Sequence, residues 1–178
     1  MTLATLLLGF VTLQRLGELA LARRNTARLR TLGAIEAGAA HYPLIVALHA
    51  AWLAGLWLLA WDVQPSLFWL AAFIVLQVLR IWVLATLGRR WTTRILVLPG
   101  APLVRHGPYR FLAHPNYAVV VGEIAVLPLA FGLYWYALVF SLLNAAVLAV
   151  RIRAEKEALR SLSPTGRGQG EGERPLRK

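Results

Sequence analysis

Apolar residues run along this chain in blocks of membrane-crossing length, and polar residues gather between the blocks. Residues 2–22, 41–61 and 65–87 form three such blocks. Each is close to the ~20 residues needed to cross ~30 Å of hydrocarbon. A fourth begins at Pro115 and ends near Phe131, short for a span, and a fifth runs from Tyr134 past Val150. Phe131-Gly132-Leu133 leaves room only for a tight helical hairpin between the last two. The pattern predicts an all-α, polytopic integral membrane protein with about five transmembrane helices over residues 1–160. Residues 161–178 are poor in apolar side chains and rich in Gly, Pro and charge, which predicts a disordered basic tail.

Composition agrees. Hydrophobic residues make up 58% of the chain and its mean hydropathy is +0.60, against roughly 45–50% apolar in a soluble domain. The first block lacks a basic leader, and QRLGELALARR follows it in place of a small-residue cleavage site. It therefore reads as a retained helix. There is no cysteine, which excludes disulfides, thiolate catalysis and Cys-ligated metal.

The net charge of +11 would point to nucleic acid in a soluble protein. Here seventeen of nineteen Lys and Arg residues fall in segments 23–30, 88–110 and 151–178. These are the basic loops of the positive-inside rule, so the N-terminus is expected outside and the C-terminus in the cytoplasm. No nucleic-acid motif accompanies the charge, and none is expected as a partner. The basic residues of the C-terminal tail are expected at most to touch anionic membrane lipid. The GRGQGEG run in the tail is no nucleotide fingerprint, since no strand precedes it and no helix follows.

Ionisable groups inside a span are expensive, so each needs a reason. Arg15 and Glu18 stand i,i+3 on the first helix and are expected to pair, with Asn25 further along nearly the same side. Gln77 and Arg80 lie one turn apart on the third helix, where Arg80 either snorkels to the interface or binds a ligand. His41 and Tyr42 open the second helix, with His49 two turns deeper; a structural role is the expectation for the histidines. Glu123, two turns into the fourth helix, is either protonated or paired. On the fifth, Asn144, Arg151 and Glu155 are seven and four residues apart and share one face, with Arg151 and Glu155 expected to form an i,i+4 pair.

That face emerges on the same side as GPYRFLAHPNY at 107–117. Gly107-Pro108 signals a turn, and Pro115 suits the first helical position, which puts His114 at the N-cap with Asn116 and Tyr117 in the first turn. A helix N-terminus favours a carboxylate or other polar ligand group. Tyr109, Phe111 and Tyr117 add aromatic faces suited to an adenine ring or a sulfonium. An interfacial aromatic belt with a helix cap would look the same.

The run LGRRWTTRILVLPGAPLVRHGPYRFLAHPNY at 87–117, followed by RIRAEKEAL at 151–159, resembles the isoprenylcysteine carboxyl methyltransferase family. QRLGELALARRN and GAIEAGAAHYP resemble a bacterial branch of it. The resemblance implies a membrane methyltransferase that uses S-adenosylmethionine, with its active site facing the cytoplasm and an expected place in a bacterial inner membrane. It implies cofactor binding by Gly107, Tyr109, His114, Pro115 and Tyr117, and catalytic roles for Arg151 and Glu155, with no metal. Two departures stand out. Ala113 precedes the His-Pro where many members carry a basic residue, and Lys156 separates Glu155 from the next acid, Glu157.

A lipidic acceptor fits a membrane-embedded enzyme, its tail entering between helices while its polar end meets the cofactor. A prenylcysteine carboxylate would need orienting by Arg151 but no base. An alkylpyrone or alkylphenol hydroxyl would gain from a base such as Glu155 or His114. An NADPH-dependent reductase of sterol-reductase type and a non-enzymatic scaffold or transport protein are the alternatives.

Overall fold

The computed structural model describes residues 2–162, so the tail expected from 161 onward lies almost wholly outside the described residues. Thr2 starts the first helix: its hydroxyl accepts the Thr5 N–H at 3.2 Å and so fills an open donor of the first turn. This helix, α1, spans Leu3–Thr31 and runs nine residues beyond the predicted end at Ala22. RRNTARLR contains no Gly or Pro, so nothing stops the helix before Gly33 once it has left the apolar block.

The later helices lie close to their predicted positions, α2 at Tyr42–Ala60, α3 at Leu67–Leu87 and α4 at Pro115–Ala130, while α5 starts at Tyr134 as expected and continues past Val150 to Leu162. Among the described residues, four helices are long and apolar enough to cross a membrane. The exception is α4, whose 16 residues reach only about 24 Å. The protein is thus predominantly helical and membrane-integral, with four full-length candidate spans and a shorter fifth helix.

One element departs from the all-α expectation. Ile35–Ala37 (β1) pairs antiparallel with Ile95–Val97 (β2), matching Ile35 with Val97 and Ala37 with Ile95. Three-residue strands carry no periodicity a sequence can reveal. Glu36 at the centre receives Arg30 and Arg94, each at 2.5 Å. Burial would raise the Glu36 carboxyl, but the hydrogen bonds from Arg94 and Arg30 outweigh it and hold the group below the usual carboxylate range.

Contacts at the helix ends fix the up-and-down order. Thr2 and Thr5 donate to the Trp61 carbonyl at the end of α2, and the Ser66 N–H before α3 donates to Ala130 at the end of α4. At the other end Asn25 of α1 donates to the carbonyls of Gly88 and Trp91. Between α2 and α5 the approach is so close that a Cβ on Gly55 would overlap the Tyr136 hydroxyl. That hydroxyl donates to the Trp52 carbonyl at 2.8 Å.

The interior is layered. The end away from the basic loops packs Leu8, Val11, Trp52, Leu56, Phe73, Ile124 and Leu127. The basic end has a smaller cluster of Ala22, Val83 and Trp91, with Tyr109 against it. Between them lies a layer of charge. Arg15 reaches Glu18 at 2.8 Å and Glu123 at 2.7 Å. Arg80 bonds twice to Glu123 and meets Glu18 at 3.0 Å. Gln77 donates to Glu123 and Gln14 to Glu18. Two guanidinium groups balance two carboxylates, as a low-dielectric interior demands. Arg80 is 3% exposed, so it does not snorkel, and Glu123 is a paired carboxylate. The expected Arg15–Glu18 pair is present, as one edge of a network joining α1 to α3 and α4.

Candidate active site

Pro115 at the first position of α4 fixes where the helix starts, and His114 before it takes a non-helical backbone at φ −133° and ψ 65°. The His114 carbonyl accepts the N–H groups of Tyr117 and Ala118, and Pro115 has none to give. Asn116 alone keeps a first-turn N–H that this carbonyl does not take. The helix end is therefore a poorer carboxylate cradle than its dipole suggests.

Side chains supply the chemistry instead. Tyr117 donates its hydroxyl to Glu155 Oε2 at 2.7 Å and accepts from Arg151 Nε at 2.9 Å. The ion pair expected between Arg151 and Glu155 is replaced by this bridge, with the phenol standing between the two charges. The Arg151 guanidinium also lies 5.5 Å over the Tyr117 ring. His114 stacks on Tyr117 with ring centres 5.2 Å apart, and its Nδ1 is 3.8 Å from Glu155 Oε2. Arg151 is buried, whereas His114 and Glu155 keep about a third and a quarter of their side chains exposed. The cluster is anchored on its inner side and open on its outer side.

The 107–111 segment forms the wall beside it. Gly107 is required twice over: its φ is +58°, and a Cβ would overlap the Thr86 side chain of α3. The turn Gly107–Arg110 then sets Tyr109 against the Ala22–Val83–Trp91 cluster and near Glu155. Burial pushes the Tyr109 phenol up to about 12, and the negative charge of Glu155 adds to the rise. Phe111 leans on Trp82 and is largely exposed, so it is no part of the cluster.

The fold thus brings together His114, Tyr117, Arg151 and Glu155, with Tyr109 close by. Pro115 acts through the backbone, and Gly107 packs on α3. Trp91 was not foreseen: its indole N–H donates to Asn116 Oδ1 at 3.4 Å, linking the loop after α3 to the first turn of α4. Seven tryptophans at membrane-like positions gave no signal to single it out.

Behind Tyr117 and Arg151 a cavity of about 290 Å³ extends between the helices. Asn116, Tyr117 and Arg151 line one end, aliphatic side chains such as Ile45, Val120 and Leu148 the middle, and Arg15, Glu18 and Arg80 the far end. A site of amphipathic outline results, with ionisable groups at a mouth and an apolar chamber leading inward.

Comparison with known proteins gives this geometry a context. Residues 69–161, more than half of the chain, match the isoprenylcysteine carboxyl methyltransferase (ICMT) family. The chain is 44% identical over 163 residues to the uncharacterised protein YpbQ of Bacillus subtilis (strain 168), covering 89% of this chain and 97% of that protein. It is 31% identical over 96 residues to an uncharacterised protein of Haemophilus influenzae, covering 53% of this chain and 56% of the other. No solved structure matches.

Proposed function

The chain belongs to the isoprenylcysteine carboxyl methyltransferase family, and from that premise we propose that it methylates an oxygen of a lipidic substrate with S-adenosylmethionine, at the cytoplasmic face of the membrane. The observation that carries this reading is the Tyr117 hydroxyl, shared by Glu155 and Arg151 at the mouth of the interhelical cavity. It joins the HPNY and RIRAE stretches in one cluster.

The side chains present fit the cofactor. A sulfonium seeks π-faces and negative charge, and Tyr109, Tyr117 and the partly exposed Glu155 carboxylate offer both. S-adenosylmethionine, when bound, supplies an electrophilic methyl carbon. Glu155, oriented by the Tyr117 hydroxyl, is the residue assigned to balance positive charge there, and Arg151 the one assigned to orient the acceptor oxygen. Methyl transfer to that oxygen would break the carbon–sulfur bond and neutralise the sulfonium, so the positive charge that Glu155 is assigned to balance would be present only before transfer. A carboxylate acceptor has no proton to lose. A hydroxyl acceptor gives one up, and His114 or Glu155 is positioned to receive it. The cavity accommodates the apolar part of a prenylated or alkylated acceptor.

Titration of the detergent-purified full chain with S-adenosylhomocysteine tests the reading. Saturable binding that weakens in Glu155→Gln is expected; a folded sample with no binding overturns it.

A further inference from the structure

The far end of the cavity is built differently from its apolar middle. Asn144 of α5 lines it, is 5% exposed, and its Nδ2 has no hydrogen-bond partner among the described residues. Arg15 of α1 lines it too, and its Nε is likewise buried and unpartnered, although both of its terminal nitrogens are bonded to carboxylates. Buried polar groups in a bilayer-embedded fold are nearly always satisfied, since no lipid can accept their hydrogen bonds. Two residues that line the cavity thus hold donors with no partner, a deficit that a ligand oxygen would meet.

The charge around them defines that oxygen. Arg15 and Arg80 are already matched by Glu18 and Glu123. An added carboxylate or phosphate would unbalance a buried network, whereas a neutral oxygen would not. His49 narrows the choice further. Its Nδ1 lies 2.8 Å from the Ile45 carbonyl, so Nδ1 carries the proton and Nε2 keeps a lone pair, and His49 also lines the cavity, from α2. Two donors and one acceptor suit a hydroxyl, which both accepts and donates.

Depth fixes its distance from the reacting end. Asn144 precedes Arg151 by seven residues on α5, roughly 10 Å along the helix. Glu123, which holds Arg15, follows Tyr117 by six residues on α4, roughly 9 Å. Two independent helices give the same separation.

We propose that the Asn144–Arg15–His49 end of the cavity is a second binding subsite, which takes a hydroxyl carried on the apolar tail of the substrate roughly 10 Å from the oxygen at Tyr117 and Arg151. The role of that oxygen as methyl acceptor rests on the function proposed above; the subsite itself does not. It makes the protein selective for hydroxylated over plain hydrocarbon tails.

The test uses the full-length protein in lipid nanodiscs and two probes, α,ω-decanediol and n-decanol, with affinities referenced to the amount of each in the nanodisc lipid. Trp52 in the cavity wall reports binding by its fluorescence. The wild type is expected to bind the diol about tenfold more tightly, the gain of one buried hydrogen-bonded group. In Asn144→Leu the preference falls to within about twofold. Equal affinities in the wild type overturn the subsite without recourse to any variant, and so does a preference that survives Asn144→Leu. S-adenosylhomocysteine is titrated on the same samples. A diol preference without cofactor binding upholds the subsite and removes the methyl-transfer reading; cofactor binding without the preference does the reverse.

Discussion

Tyr117 of α4 and Glu155 of α5, thirty-eight residues apart in sequence, meet through a 2.7 Å hydrogen bond, and the same phenol oxygen accepts from Arg151. One hydroxyl thus holds an acid and a base apart while orienting both. Tyr117→Phe keeps the ring that stacks on His114 and removes only that oxygen. Hydrogen bonds to charged groups contribute about 1.5–3 kcal/mol, so kcat/KM for methyl transfer is expected to fall roughly 10- to 150-fold. Unaltered turnover by a folded Tyr117→Phe protein would remove the bridge from the mechanism.

The charge layer predicts an asymmetry between single and double substitutions. Arg80→Met leaves Glu18 and Glu123 sharing Arg15 alone, an uncompensated buried charge that costs about 3–5 kcal/mol. Arg80→Met with Glu123→Gln restores the balance and is expected to recover more than half of that loss. Reversible unfolding in mixed detergent micelles measures both.

Gly107→Ala is expected to strain the turn before α4. An L-residue at φ +58° costs about 1–2 kcal/mol, and the new methyl also meets Thr86. Adding Thr86→Ala removes the overlap but leaves the dihedral, so it rescues in part. S-adenosylhomocysteine affinity across this pair, read as a double-mutant cycle, separates the two effects. Full rescue would show that the backbone angle does not matter.

Glu36 makes the β1–β2 pair sensitive to acid. Its carboxyl is lower in the folded protein than in the unfolded chain, so its contribution is complete above the ordinary carboxylate range and is lost as pH falls through the folded value. Protection of the β1–β2 amides, taken as their exchange rate relative to that of an unstructured chain at the same pH, is expected to fall on acidification, and Glu36→Gln should flatten that response. The effect is modest, about 0.2–1 kcal/mol, because Arg30 and Arg94 are partly in solvent.

Tyr109 acts in the opposite pH direction. Its phenol is raised to about 12 by burial and by Glu155, so it stays protonated through the neutral range. The stability it contributes is whole below the ordinary tyrosine value of about 10 and is lost as pH rises from there towards 12. Thermal melts between those limits should show a shallower decline for Tyr109→Phe than for the wild type.

The sequence by itself determined the helices and their alternation. Apolar blocks bounded by Pro, Gly and basic runs place α2 to α4 and the start of α5 within two or three residues, because the bilayer sets block length and local propensity sets the ends. The i,i+4 geometry of α5 also put Asn144, Arg151 and Glu155 on one face without reference to any neighbour. Only the tertiary structure decided what those faces meet. Whether Arg80 snorkels or pairs depends on Glu18 and Glu123, sixty-two and forty-three residues away. Arg151 and Glu155 share Tyr117 in place of each other, and Trp91 and β1–β2 had no local signature at all. The physical reason is range. Backbone periodicity and hydrophobic length are properties of ten to twenty neighbouring residues, whereas the partner of a buried charge is chosen by which helices pack side by side, and in a low dielectric that choice decides whether the group stabilises the fold or destabilises it.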